Sequence, residues 1–195
     1  MPHYFDPEQK SKANIQEVKA DIFDNELILK TASGVFSKDH IDKGTLVLLS
    51  YADIKNSDNI LDIGCGYGVV GISIAKAFRK NVTMSDVNKR AIMLSRKNAK
   101  LNNVDVNIIE SNLFENIDGS FDTILSNPPQ HAGKDICISI IEQSLNHLNE
   151  GGTLQLVARH KKGGKSLSEK MEEVFGNVDV LGIKSGFRVY ISKKK

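Results

Sequence analysis

Ile60-Leu61-Asp62-Ile63-Gly64-Cys65-Gly66-Tyr67-Gly68-Val69-Val70-Gly71 is the stretch on which the reading of this chain turns. Residues 59–63 make a short apolar run with an acid near its end, the pattern of a buried strand. Glycines at 64, 66 and 68 follow, and then an apolar run that opens a helix. A strand feeding a glycine-rich turn and a helix N-terminus brings backbone N–H groups close to a ligand. Glycine belongs there because a Cβ would hold the ligand at a distance.

From this stretch onward strand and helix alternate. Val69, Ile72 and Ala75 place one apolar stripe on a helix ending near Lys80, and residues 81–84 form a strand running into Ser85-Asp86-Val87-Asn88. Asn88 caps a helix whose inner face is Ala91, Leu94, Asn98 and Leu101. Residues 104–109 and 121–125 are strands, the second leading into Asn127-Pro128-Pro129. Ile136, Ile140, Ile141, Leu145 and Leu148 line a helix that Gly151-Gly152 is expected to stop. After a strand at 153–158 and a helix at 167–175, two strands flank Ser185-Gly186, so closely joined that they must be antiparallel. Ahead of the glycine stretch, residues 15–22 and 26–30 make a hairpin around Asp24-Asn25, and Asp42 caps a helix carrying Leu46, Leu49 and Ala52. The rhythm implies an α/β fold with an open, doubly wound, mostly parallel sheet.

The chain has 195 residues with 40% hydrophobic and 26% charged content, which suits one globular domain. That domain is taken as 1–195, with an N-terminal hairpin extension at 1–40 and a core at 41–195. Its two cysteines, Cys65 and Cys137, have no metal-ligand spacing, so neither a disulfide scaffold nor a metal site is expected. No apolar run approaches the roughly 20 residues of a membrane span, and no signal pattern opens the chain. A cytoplasmic location without a membrane partner is the expectation. A net charge of +2 neither demands nor excludes nucleic acid, and no oligomeric state follows from it.

Gly66 to Gly71 also fits G-x-G-x-x-G, with Asp86 standing 20 residues after Gly66, which alone would allow a dinucleotide. Two features oppose that reading. Gly64 marks the end of the strand and places Gly71 inside the helix. Asp62, just before the turn, would repel a pyrophosphate and suits a ligand carrying positive charge.

With these residues in view, the segment Leu61-Asp62-Ile63-Gly64-Cys65-Gly66-Tyr67-Gly68 resembles the first motif of class I S-adenosylmethionine-dependent methyltransferases. The resemblance implies a Rossmann-like, seven-stranded sheet with an antiparallel last strand, and S-adenosylmethionine as cofactor. It also implies that Asp62, Gly64, Cys65 and Gly66 hold the methionyl and ribose parts. Asp86 and Val87 would then take the ribose, and Asn112 and Leu113 the adenine, although the family usually carries an acid at the position of Asn112.

Asn127-Pro128-Pro129 is the second informative stretch. Prolines fix the backbone and leave carbonyls free, and an Asn oxygen with the Pro128 carbonyl can accept from an exocyclic NH₂. Such an amine is a poor nucleophile until its lone pair is aimed, so catalysis is positioning. The motif resembles the Asn-Pro-Pro-aromatic signature of amino-nitrogen methyltransferases, with Gln130 where the aromatic would stand. The segments 31–49, 127–133 and 162–166 resemble the small-domain ribosomal RNA guanine-N2 methyltransferases, and the likeness runs from Tyr4 to Ser192. It implies that Phe36 and Asp42 lie over the cofactor and that Pro129, Gln130 and His131 meet the substrate. Arg159, Lys161 and Lys162, a basic cluster after the fifth strand, would take RNA phosphates. The expected function is N2 methylation of a guanine in ribosomal RNA by a single-domain member, with RNA or a small-subunit particle as partner. A protein-glutamine N-methyltransferase and an inactive RNA-binding subunit are the alternatives.

Overall fold

The computed structural model describes residues 6–9, 12–54, 59–129 and 133–195. Strands β1 (Ile15–Ile22) and β2 (Asn25–Ala32) form an antiparallel hairpin in the register Ile22↔Asn25. The turn is Phe23-Asp24, one residue earlier than expected. Both residues have positive φ, 54° and 57°, which the two-residue type I′ turn demands, and the Asn25 amide bonds the Phe23 carbonyl at 2.6 Å.

The order then runs α1 (Lys43–Tyr51), β3 (Asn59–Ile63), α2 (Val69–Phe78), β4 (Asn81–Asp86), α3 (Lys89–Leu101), β5 (Asn107–Glu110) and β6 (Phe121–Ser126). It closes with α4 (Lys134–Ser144), a 3-10 turn (Leu145–His147), β7 (Leu148–Arg159), α5 (Lys165–Phe175), β8 (Asp179–Lys184) and β9 (Phe187–Lys193). Seven strands form one sheet in the order β5-β4-β3-β6-β7-β9-β8. The pairs β4–β5 and β6–β7 are parallel, and β9 is antiparallel to both of its neighbours. This is the Rossmann-like methyltransferase sheet that the first motif implied.

Two compact units divide the chain: 1–42 with 62–117, and 43–61 with 118–195. In the first, α3 packs on β2, β4 and β5, so the hairpin is fastened to the helix that follows β4. The fastening is polar. Asn98, fully buried, accepts from the Lys30 N–H at 2.7 Å and donates to the Lys30 carbonyl and the Tyr67 carbonyl at 2.8 Å each. One turn on, Asn102 exchanges the same pair of bonds with Ile28 at 3.1 and 2.8 Å. Residues i and i+4 of a helix thus serve residues i and i+2 of a strand, as a neighbouring strand would. The inner face of α3 centres between these two amides, and Leu101, expected on it, lies at its margin, 43% exposed.

In the second unit, α1 packs on β7, β8 and β9, and α4 on β7 and α5. Gln155, fully buried on β7, exchanges two 2.9 Å bonds with the Asp53 backbone just past α1. Gly151-Gly152 does not stop a helix. The chain leaves α4 at Ser144, and Leu148 already pairs with Phe121, so the glycines lie in a bulge of β7 between Leu148 and Thr153. A Cβ on Gly152 would sit 2.9 Å from the Asn149 carbonyl oxygen, and Gly151 has φ +75°. Strand β5 begins at Asn107 rather than 104, because Asn103 adopts φ 53° and the Val104 N–H closes α3 on the Ala99 carbonyl.

Replacing Asn98 with Leu leaves the Lys30 N–H and two carbonyls unpaired in the interior. Urea unfolding should show a loss of roughly 3 kcal/mol, against less than about 0.5 kcal/mol for Leu101→Ala on the exposed margin. Equal losses at the two positions would refute the strand-like role of Asn98.

Candidate functional site

The glycine turn is held from behind by the end of β4. The N–H groups of Gly64 and Cys65 both reach the Ser85 carbonyl at 2.9 Å. The Gly66 N–H reaches Asp86 Oδ2 at 2.8 Å, and Ser95 Oγ donates to the Gly66 carbonyl at 2.8 Å. Asn98 completes the hold on the Tyr67 carbonyl. The glycines then divide by what a side chain would meet. A Cβ on Gly68 or Gly71 would strike Met84 on β4, at 2.8 and 2.5 Å, so these two allow the close packing of α2 on the sheet. On Gly64 and Gly66, whose φ values are +74° and +57°, it would meet nothing within 4 Å. The open side of the turn is a cradle that a side chain would fill, which is what a ligand lying along the backbone requires.

Asp62 is 2% exposed and accepts from the Gly71 N–H at 2.9 Å. Its carboxyl is pushed up to about 7, by burial first, with the nearby Asp86 charge adding and the Gly71 N–H opposing. Asp86, at the tip of β4, is half-buried. Burial raises its carboxyl too, while the N–H groups of Asn88 (2.8 Å), Gly66 and Val87 pull it back. Cys65 is buried, with its thiol pushed well above the usual range by burial, so it is a packing residue rather than a nucleophile.

The loop carrying Phe36 comes to the same end of β4. Asn88 caps α3 with its oxygen, and its Nδ2 donates to the Gly34 carbonyl at 2.9 Å. Arg90 adds bonds to the Ser33 and Gln9 carbonyls. Phe36 and Asp42 are half-buried, and burial together with the Asp42 charge raises the buried Tyr67 phenol. After β5, Ser111 bonds the Leu113 carbonyl and the Asn116 N–H, with Leu113 at φ 51°. Exposed Asn112 gives its amide N–H to Glu115 at 2.8 Å, which leaves its oxygen as an acceptor.

In the second unit, Asn127 follows β6 directly and is half-buried. Its Nδ2 donates to Thr45 Oγ1 at 3.0 Å, and Thr45 lies in the first turns of α1, 7% exposed. Pro128 is buried and Pro129 half-buried. Gln130 and His131 lie outside the described residues. Strand β7 pairs with β6 as far as Ser126↔Leu156 and runs on to Arg159, so the basic cluster leaves the sheet at the end that carries Asn127. Arg159 lies 4.5 Å over the Phe187 ring, His160 shares a 2.8 Å bond with the Tyr190 hydroxyl, and Lys161 and Lys162 are exposed. Thr45, Ser95 and Asn98, which bond Asn127, Gly66 and Tyr67, are positions to which sequence reasoning gave no part in the candidate site. Each acts on a partner tens of residues away, and nothing in its local pattern announces it. Among the described residues, no group of three or more His, Cys, Asp or Glu side chains could hold a metal ion, and no helix is long and apolar enough to cross a membrane.

The model of the methyltransferase small domain matches residues 26–191. The chain belongs to the methyltransferase small domain family. Members use S-adenosylmethionine, and the chain is accordingly an S-adenosylmethionine-dependent methyltransferase. It is 39% identical to the uncharacterized protein YbxB of Bacillus subtilis over 98% of both chains. It is 37% identical to ribosomal RNA small subunit methyltransferase C of Photorhabdus laumondii over 87% of this chain and 51% of that one, so it spans about half the length of such relatives. Among solved structures, a T. thermophilus 16S rRNA N2 methyltransferase (RsmC), in complex with AdoMet and guanosine, superposes with a TM-score of 0.82. That match covers 93% of this chain and 51% of the other at 22% identity, a likeness of fold.

The Asp62 carboxyl, normally near 3.8 and here about 7, gives stability a particular pH dependence. Between those values the folded state holds a proton that the unfolded chain has released, so this residue's contribution falls as pH rises from about 4 to about 7 and is flat above. Asp62→Asn should therefore gain on the native chain by a few kcal/mol between pH 5 and pH 8 in urea unfolding. A difference that stays constant with pH would rule this out.

Proposed function

We propose that the chain transfers a methyl group to an exocyclic amine, and that the amine is guanine N2 in ribosomal RNA. The observation that carries this is the Asn127 amide. Its Nδ2 donates to Thr45 Oγ1 at 3.0 Å, which fixes the orientation of an amide that stands at the carboxyl end of β6, directly before two prolines that fix the backbone. Ribosomal RNA as the substrate is supported by the names of the relatives and by Arg159, Lys161 and Lys162 at the same end of the unit.

Bound S-adenosylmethionine supplies an electrophilic sulfonium methyl. The chain's own residues do the rest. Gly64, Cys65 and Gly66 hold the amino-acid and ribose side along the open face of the turn, with Asp62 supporting the amino-acid end. Asp86 accepts from the ribose hydroxyls beside Val87, Asn112 and Leu113 meet the base, and Phe36 and Asp42 cover it. Asn127 Oδ1 and the Pro128 carbonyl accept from the two N–H groups of the amine and hold it pyramidal, with its lone pair directed at the methyl. Pro129, Gln130 and His131 border the acceptor base. No strong base is needed, because the nitrogen becomes acidic once alkylated and its proton passes to water.

Labelled methyl transfer into ribosomal RNA from cells lacking the gene, followed by nucleoside analysis, should give N2-methylguanosine. Label in protein instead would favour glutamine as acceptor. Asn127→Ala should lower kcat at least 100-fold with S-adenosylhomocysteine still raising the melting temperature. Cofactor binding without measurable turnover by the native chain would point to an inactive binding subunit, and unchanged turnover in the variant would refute the role given to Asn127.

Thr45→Val should cost about tenfold in kcat and little in KM for the cofactor, while Thr45→Ser restores the rate. If Val and Ser behave alike, the amide is not set by this hydroxyl.

A further inference from the structure

The outer face of α3 takes no part in the glycine turn or in the Asn127 segment. At 3.6 residues per turn, Lys89, Met93, Arg96, Lys97 and Lys100 fall within an arc of roughly 100°, opposite Leu94 and Asn98. With Ile92 and the Glu110 carboxylate they line an open groove of about 430 Å³. Four cations there face one acid. Lys89 reaches Glu8 at 3.2 Å and Arg96 the Ile108 carbonyl at 3.2 Å, both exposed and of little worth. The side chains of Lys97 and Lys100 have no hydrogen bond or ion pair among the described residues. Their charge is uncompensated among the described residues.

We propose that this face of α3 docks the phosphate backbone of RNA. The stripe is linear and roughly 16 Å long at 1.5 Å per residue, the span of about four phosphates along one strand. A linear row of cations complements a linear polyanion better than the compact acidic patch of a globular partner. A lipid surface is disfavoured by the helix itself. Its apolar face is already buried on β2, β4 and β5, and only Met93 and Leu101 turn large apolar side chains outward. Contacts of this kind position RNA without reading its sequence, which leaves recognition of the target base to the acceptor site. The inference rests on the proposed function only for the nature of the partner, RNA, and concerns binding rather than methyl transfer.

The test is fluorescence anisotropy of the full chain with a labelled small-subunit ribosomal RNA fragment, across a salt series. Lys97→Glu/Lys100→Glu should weaken binding at least tenfold near 0.1 M salt and make the slope of log K against log salt shallower by roughly two. Lys12→Glu/Lys19→Glu, an equal change of net charge on exposed residues of the hairpin region, should change affinity by less than about threefold. The thermal shift with S-adenosylhomocysteine should be the same for all three proteins, which certifies the fold, and Lys97→Ala/Lys100→Ala provides a milder variant. Equal loss in the two charge-reversed proteins, unchanged affinity in the α3 variants, or no RNA binding by the native chain overturns the proposal. Binding to anionic vesicles in place of RNA does the same. Native chain that binds RNA without methylating it would sink the proposed reaction and leave this surface standing.

Discussion

The Ser85 carbonyl and the Asp86 carboxylate, side by side at the end of β4, are what the glycine turn depends on. Three consecutive N–H groups of the turn, from Gly64, Cys65 and Gly66, end on these two residues. A backbone path with φ above zero at alternate residues has no ladder of its own, and buried N–H groups must be paired. Fixing them all from one side leaves the opposite side bare. That is the side on which Gly64 and Gly66 have no neighbour. The turn is thus preorganised before any ligand arrives, and little ordering entropy remains to be lost on binding.

The same residues link the N-terminal hairpin to the turn. Asn98 bonds Lys30 on β2 and the Tyr67 carbonyl within the turn, and Asn88 bonds Gly34 while its N–H group holds Asp86. The hairpin is therefore part of the support of the glycine turn rather than an appendage to it. A helix that offers amides at i and i+4 to a strand edge makes a join that tolerates no slippage, since a one-residue shift would bring up residues whose N–H and C=O face β1 instead.

Much of this was legible, and the reasons differ between residues. The strand, turn and helix around Gly64 are local, and periodicity with glycine spacing identifies them. Asn88 as a cap is local as well. Gly151-Gly152 misled because glycine marks helix ends and strand bulges alike, and only the pairing of Leu148 with Phe121 separates the two. The turn of the hairpin slipped by one residue because Phe23 is an uncommon occupant of a positive φ. Thr45 escaped because its partner, Asn127, is 82 residues away, and a buried hydroxyl in a helix has no pattern of its own. Residues that bear on one another across the fold are where one-dimensional reading ends.

Electrostatics decides what the turn holds. Asp62 and Asp86 are both raised by burial, and the charge of Asp86 raises Asp62 further, so the two become a negative pole only at a cost. A pyrophosphate beside that pole would raise both carboxyls again and would have to be bound against it. A ligand with an ammonium or sulfonium charge lowers them and recovers part of the desolvation cost on binding. The letters around Gly66 permit either ligand. The buried acid before the turn favours the cationic one, a ligand whose methyl is already activated by its sulfonium charge.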